Sequence, residues 1–128
     1  MAIIRSFREL KVYEAARTEV AKVFRVTSGF PKAEQFALTD QIRRSSRAVK
    51  AMIAEAWAKR RYEAAFISKL TDALGEAGET QSWLDDALDC NYITPEQYQS
   101  MDAAWQYIGG MLNRMIEKSA TFCSAPVK

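Results

Sequence analysis

Apolar positions recur along most of this chain in steps of three and four, the spacing that lays side chains on one stripe of an α-helix. Phe7, Leu10, Tyr13, Ala16, Val20, Val23 and Phe24 set a first stripe and predict a helix over 7–28. Gly29 reads as a left-handed C-cap, and Pro31 prevents continuation. Phe30 can fold back onto the end of the stripe. Leu38, Ile42, Ser46, Val49, Ile53 and Ala56 predict a second helix over 34–60, with Glu34 in the first turn, where the helix dipole favours an anion. Ser45, Ser46 and Ala48 keep that side slim, so a neighbouring helix can approach closely. Phe66, Leu70, Ala73, Leu74, Ala77, Leu84 and Leu88 predict a third helix over 62–90. Gly75 and Gly78 fall inside it and read as close-packing points or a local bend, with a break there as the alternative. The last helix, over 95–119, has the clearest signature. Thr94 is its N-cap, Pro95 its first residue, and Gln97 completes a capping box. Tyr98, Met101, Trp105, Ile108, Leu112 and Met115 then form a heptad-like seam. The tail over 120–128, which contains Pro126, is expected to fray.

Four such helices with short connections predict an all-α, antiparallel up-down-up-down four-helix bundle, a single domain over 1–128. A hydrophobic fraction of 48%, with only three prolines and five glycines, agrees with a packed helical chain and excludes a disordered one.

Chemistry is limited by what is missing. The chain has no histidine, which removes an imidazole base, a Cys–His pair and a Ser–His–Asp triad. It also removes the Glu-x-x-His half of a di-iron bundle site, so Glu55, Glu76 and Glu79 lack the partners that site needs. Cys90 and Cys123 form no CxxC pair and read as free thiols of a reducing cytoplasm, without zinc or disulfide. Gly109 and Gly110 lie in a helical seam and cradle no phosphate. Asp85 and Asp86 point about 100° apart on a helix and share no site. The expectation is a protein that is not an enzyme and uses no metal and no cofactor. The N-terminus is too quickly charged for a signal peptide, and no apolar run approaches membrane-spanning length, so a cytoplasmic location and no membrane partner are expected.

A net charge of +2 says little, but its distribution says more. Between positions 43 and 61, Arg43, Arg44, Arg47, Lys50, Lys59, Arg60 and Arg61 stand against Glu55 alone. Glu63, Asp72, Glu76, Glu79, Asp85, Asp86 and Asp89 stand in the third helical segment against Lys69 alone. Arg43, Arg47 and Lys50 share one face beside the core stripe, and an unbroken helix would bring Arg61 into line with them. This ridge has two readings. It is a surface that tracks the phosphates of RNA or DNA, releasing their counterions, or it pairs with the acidic helix of the same or a neighbouring subunit. No interleaved aromatic marks a base-stacking platform. Trp57 and Trp83 fall off the main seams and, with the small face of Ala51, Ala54 and Ala58, form the candidate oligomer interface.

A family resemblance joins these pieces. Phe7-Arg8-Glu9-Leu10-Lys11-Val12-Tyr13 opens as members of one bacterial family do. Phe30-Pro31-Lys32-Ala33-Glu34-Gln35-Phe36-Ala37-Leu38 matches that family's linker and helix start, and Gln41-Ile42-Arg43-Arg44-Ser45-Ser46 follows as it does there. Met52-Ile53-Ala54-Glu55-Ala56 occupies the place of a typical Asn-Ile-Ala-Glu-Gly stretch, departing from it at Met52 and Ala56. The chain resembles the 23S rRNA-intervening-sequence, or four-helix-bundle, protein family over about residues 7 to 118. That resemblance implies a homopentameric ring without catalytic activity. The family is also similar to the accessory variability proteins of diversity-generating retroelements, basic pentamers that bind nucleic acid and a reverse transcriptase. Nucleic acid, a second copy and an unknown protein are the partners implied.

Overall fold

A computed structural model of the protein describes residues 4–123. Four long helices form the body: α1 (Lys11–Thr27), α2 (Asp40–Ala58), α3 (Glu63–Asp89) and α4 (Pro95–Glu117). A short α5 (Ser119–Cys123) follows, and no strand occurs among the described residues. Consecutive helices pack on one another, and α1 closes the ring against α4. The predicted up-down-up-down bundle is the observed one.

The stripes read from the sequence meet along the bundle axis. Ile42, Val49 and Ile53 of α2, Phe66, Leu70 and Leu84 of α3, and Trp105, Ile108 and Leu112 of α4 are all buried. The broadest packing is between α2 and α3. Small side chains permit it, since Ser45, Ser46, Ala56, Ala73, Ala77 and Thr80 are fully or almost fully buried. Ser45 and Thr80 share a 2.8 Å hydrogen bond across the seam. The hydroxyl that accepts in this bond donates to a carbonyl of its own helix, Thr80 to that of Glu76 or Ser45 to that of Ile42, so burial leaves neither unpaired.

Several helix ends differ from expectation. The first helix splits at Leu10, which adopts an extended backbone and is buried, with a short 3₁₀ turn over Phe7–Glu9 ahead of it. Phe24, placed on the α1 core stripe, is instead 47% exposed, and Thr27 is buried one turn on. Gly29 is not left-handed, because no glycine among the described residues has positive φ. The α1 end tightens instead, Gly29 N–H donating to Val26 and Phe30 N–H to Thr27. The left-handed cap belongs to Asn91 (φ 62°) after α3, where Tyr92 N–H reaches Ala87 and Asn91 N–H reaches Leu88. That crossed pair is the Schellman closure, and Asn tolerates the required φ. The second helix opens through a 3₁₀ turn, Lys32–Glu34, and a wide π-helical turn, Gln35–Thr39. It ends at Ala58, so Arg61 falls in the following turn and does not continue the α2 face. Both bonds of the α4 capping box form, at 3.0 and 2.9 Å. Of the tail expected to fray, residues 120–123 are helical, while 124–128 lie outside the described residues.

Gly75 and Gly78 are neither a break nor close-packing points. The α3 helix runs through both, and a Cβ built at either would meet nothing. Gly75→Ala and Gly78→Ala are each expected to raise stability by up to ~1 kcal/mol, read from the thermal unfolding midpoint. A lowered midpoint would show that another surface packs on this bare face.

The topology also sorts charge between the two ends. The start of α1, the end of α2, the start of α3 and the end of α4 share one end. There Arg8, Lys11, Lys59, Arg60, Arg61, Arg114 and Lys118 outnumber Glu9, Glu14, Glu55, Glu63 and Glu117. At the other end Glu34, Asp40, Asp85, Asp86, Asp89 and Glu96 outnumber Lys22, Arg25, Lys32 and Arg43. There Tyr92 donates to Glu34 at 2.7 Å and Tyr98 to Asp85 at 2.6 Å, and these hydrogen bonds push both phenols up to about 12.

Candidate nucleic-acid interface

The α2 cations divide into those engaged by the bundle and those free of it. Arg43 lies against the end of α1. Its Nε donates to Thr27 Oγ1 at 2.8 Å, and its Nη2 reaches the Phe24 carbonyl at 3.3 Å and Ser28 Oγ at 3.4 Å. Its guanidinium carbon also sits 4.4 Å from the Phe24 ring centroid. A helix C-terminus presents unpaired carbonyls and partial negative charge, which a guanidinium neutralises. Arg43 therefore ties α2 to the end of α1.

Arg44 crosses to the acidic helix, at 2.7 Å from Glu79 and 3.3 Å from Glu76. The Glu79 hydrogen bond raises its affinity for its proton further, with the charges of both carboxylates assisting against partial desolvation. At this point the basic and acidic helices pair within one chain. The pair is half exposed, so it orients the two helices and adds little stability.

Arg47 is exposed and Lys50 half-buried, and neither lies within ion-pair distance of a carboxylate among the described residues. Arg47 stands 5.9 Å from the Phe24 ring centroid. The aromatic surface beside Arg47 is thus supplied by α1. The signal was Thr27: a stripe through Ala16, Val23 and Thr27 leaves Phe24 at its edge. At the end of α2, Lys59 lies 3.7 Å from Glu55. Arg60 donates to the Trp57 carbonyl at 2.8 Å and covers the Trp57 ring at 4.0 Å. Arg61 is exposed in the turn and has no ion-pair partner among the described residues.

The candidate interface residues are also divided. Trp57 is 9% exposed and packs into the core, while Trp83 is half-buried against it. Ala51 and Ala58 are exposed on the outer side of α2 and Ala54 is half-buried, so only these three offer a surface there. Of the two departures from the family stretch, Ala56 is fully buried and Met52 packs against the core.

Among the described residues no group of histidine, cysteine or carboxylate side chains is placed to hold a metal. Cys90 and Cys123 are free, and burial pushes the Cys123 thiol up, away from the thiolate a nucleophile needs. Among the described residues, no helix is long and apolar enough to cross a membrane.

A family model described as 23S rRNA-intervening sequence protein matches residues 8–114. Among solved structures, the chain is similar to a protein of unknown function from the S23 ribosomal protein family of Bacteroides thetaiotaomicron. The two are 31% identical with a TM-score of 0.75, over 83% of this chain and 95% of that one. No curated protein matches the chain.

Proposed function

This chain belongs to the 23S rRNA-intervening sequence protein family, and from that membership we propose that it is a non-catalytic, self-associating bundle that holds RNA by its phosphates. One observation carries the reading. After Arg43 and Arg44 are engaged inside the bundle, Arg47, Lys50 and Arg61 remain without a carboxylate in ion-pair range among the described residues. Cations left unneutralised by their own protein are available to displace counterions from a polyanion. Arg47 beside Phe24 adds a flat surface over which a base or sugar can lie. We also propose a ring of five, the assembly that a relation to the basic, pentameric accessory variability proteins would imply.

The test is binding to structured RNA across a salt series, with native mass measured on the same samples. Wild type should bind with a log–log salt slope that falls by about 0.7–0.9 for each phosphate contact removed in Arg47→Glu or Lys50→Glu. A flat slope, or variants indistinguishable from wild type, rejects contact at this face. A second reading, a protein scaffold without RNA, is favoured by Phe36, which is 76% exposed. It requires an oligomer of unchanged mass and no RNA binding at any salt concentration.

A further inference from the structure

The end of the bundle where α1 starts and α4 stops holds a feature the ridge lacks. A groove of about 500 Å³ lies between these two segments, within the range of ligand-binding clefts. Its floor is apolar, formed by Leu10, Val12, Met111 and Met115, and Tyr107 stands at its side, 62% exposed. Lys11, Arg114 and Lys118 line it as well. None of the three cations lies within ion-pair distance of a carboxylate among the described residues. The one acid in the lining, Glu9, accepts the Arg5 backbone N–H at 3.1 Å. Glu63, at the same end, accepts the Ser119 hydroxyl at 2.6 Å.

We infer that this groove is a site for single-stranded RNA, an unpaired base lying on the apolar floor against Tyr107 while Lys11, Arg114 and Lys118 hold the flanking phosphates. The inference rests on the RNA reading above and relocates its strand-specific part from the α2 flank to the end of the bundle. Three features select this occupant. The three cations of the lining have no carboxylate in ion-pair range among the described residues and are available to several phosphates at once. Arg8 and Arg61 lie at the same end of the bundle outside the groove, more cations than a single anionic head group would use. The floor separates single strand from duplex. A duplex turns its phosphates outward and leaves the floor wet, whereas an unpaired base covers it and stacks on the phenol ring.

The test compares a short fluorescent single-stranded RNA with its matched duplex, by anisotropy over a salt series. Three variants with unchanged circular dichroism are used: Tyr107→Ala, Lys11→Gln/Lys118→Gln, and the flank pair Arg47→Glu/Lys50→Glu. Wild type should favour the single strand by about tenfold, and Tyr107→Ala should erase most of that preference while sparing duplex affinity. Lys11→Gln/Lys118→Gln should weaken single-strand binding and reduce the salt slope by about 0.7 per lysine. Wild-type affinity in both end variants, with loss only in the flank pair, overturns this site and leaves the flank reading standing. Equal affinity for single strand and duplex, with Tyr107→Ala silent, also overturns it. Wild type that binds no RNA overturns both, as does binding to phosphatidylglycerol vesicles in place of RNA.

Discussion

Replacing Trp105 by alanine is expected to lower the unfolding free energy by about 3–5 kcal/mol, the range for deleting a large buried aromatic. Trp105 is fully buried at the middle of α4, on the seam that faces the other helices. Its truncation removes apolar area from the core and leaves a cavity that rigid helices on every side cannot close. The measurement is urea unfolding followed by circular dichroism. Trp105→Phe should cost much less, for two reasons. Phenylalanine fills most of the same volume, and it deletes an indole N–H that is buried without a partner among the described residues. Burying an unpaired donor is unfavourable, so its loss offsets part of the lost packing. Equal destabilisation by the two substitutions would show that the indole N–H is bonded in solution and would refute this account.

Arg43→Ala is expected to cost about 2 kcal/mol, while Arg47→Ala, on the same basic face, should stay within about 0.5 kcal/mol. The difference follows from their partners. Arg43 donates to three oxygens at the end of α1 and lies on Phe24. Removing it leaves the Thr27 and Phe24 oxygens of a helix terminus without their cation. Arg47 makes no hydrogen bond among the described residues and only borders the ring. For RNA binding the order should invert, with Arg47→Ala the more damaging of the two once folded fraction is corrected. Comparable stability loss in both variants would sink the assignment of Arg43 as the tie between α1 and α2.

The bundle was legible because its evidence is local and repeated. A buried stripe on α2 from Ile42 to Ala56, a capping box at Thr94 and a slim face at Ser45 and Ser46 each follow from spacing and side-chain size. The misread ends share a different cause. Gly29 and Asn91 can both cap a helix in the left-handed form, and which one does so depends on the path to the next helix. Gly75 and Gly78 read as contact points because glycine allows close approach, yet allowing a contact does not create one.

The candidate site was less legible than the fold for the same reason in stronger form. Charge counts located the basic segment, but a guanidinium's role depends on what lies within about 3 Å of it, and those groups come from other helices. Thr27 and Phe24 were sixteen and nineteen residues away from Arg43, and Glu79 thirty-five from Arg44. The convergence of Lys11 with Arg114 and Lys118 is further still from anything one segment can reveal. Only the closing of α1 against α4 brings them together.

The excess of cations at one end of the bundle and of carboxylates at the other has a kinetic consequence. A bundle roughly 40 Å long, from 1.5 Å per residue over α3, is an elongated electric dipole despite its small net charge. In the field of a polyanion it experiences a torque before it experiences a contact, and the torque turns the α1–α4 opening forward while the Asp85–Asp89 end swings away. Productive encounters would then begin end-on, at a rate that drops as added salt shortens the reach of that field to about 10 Å or less.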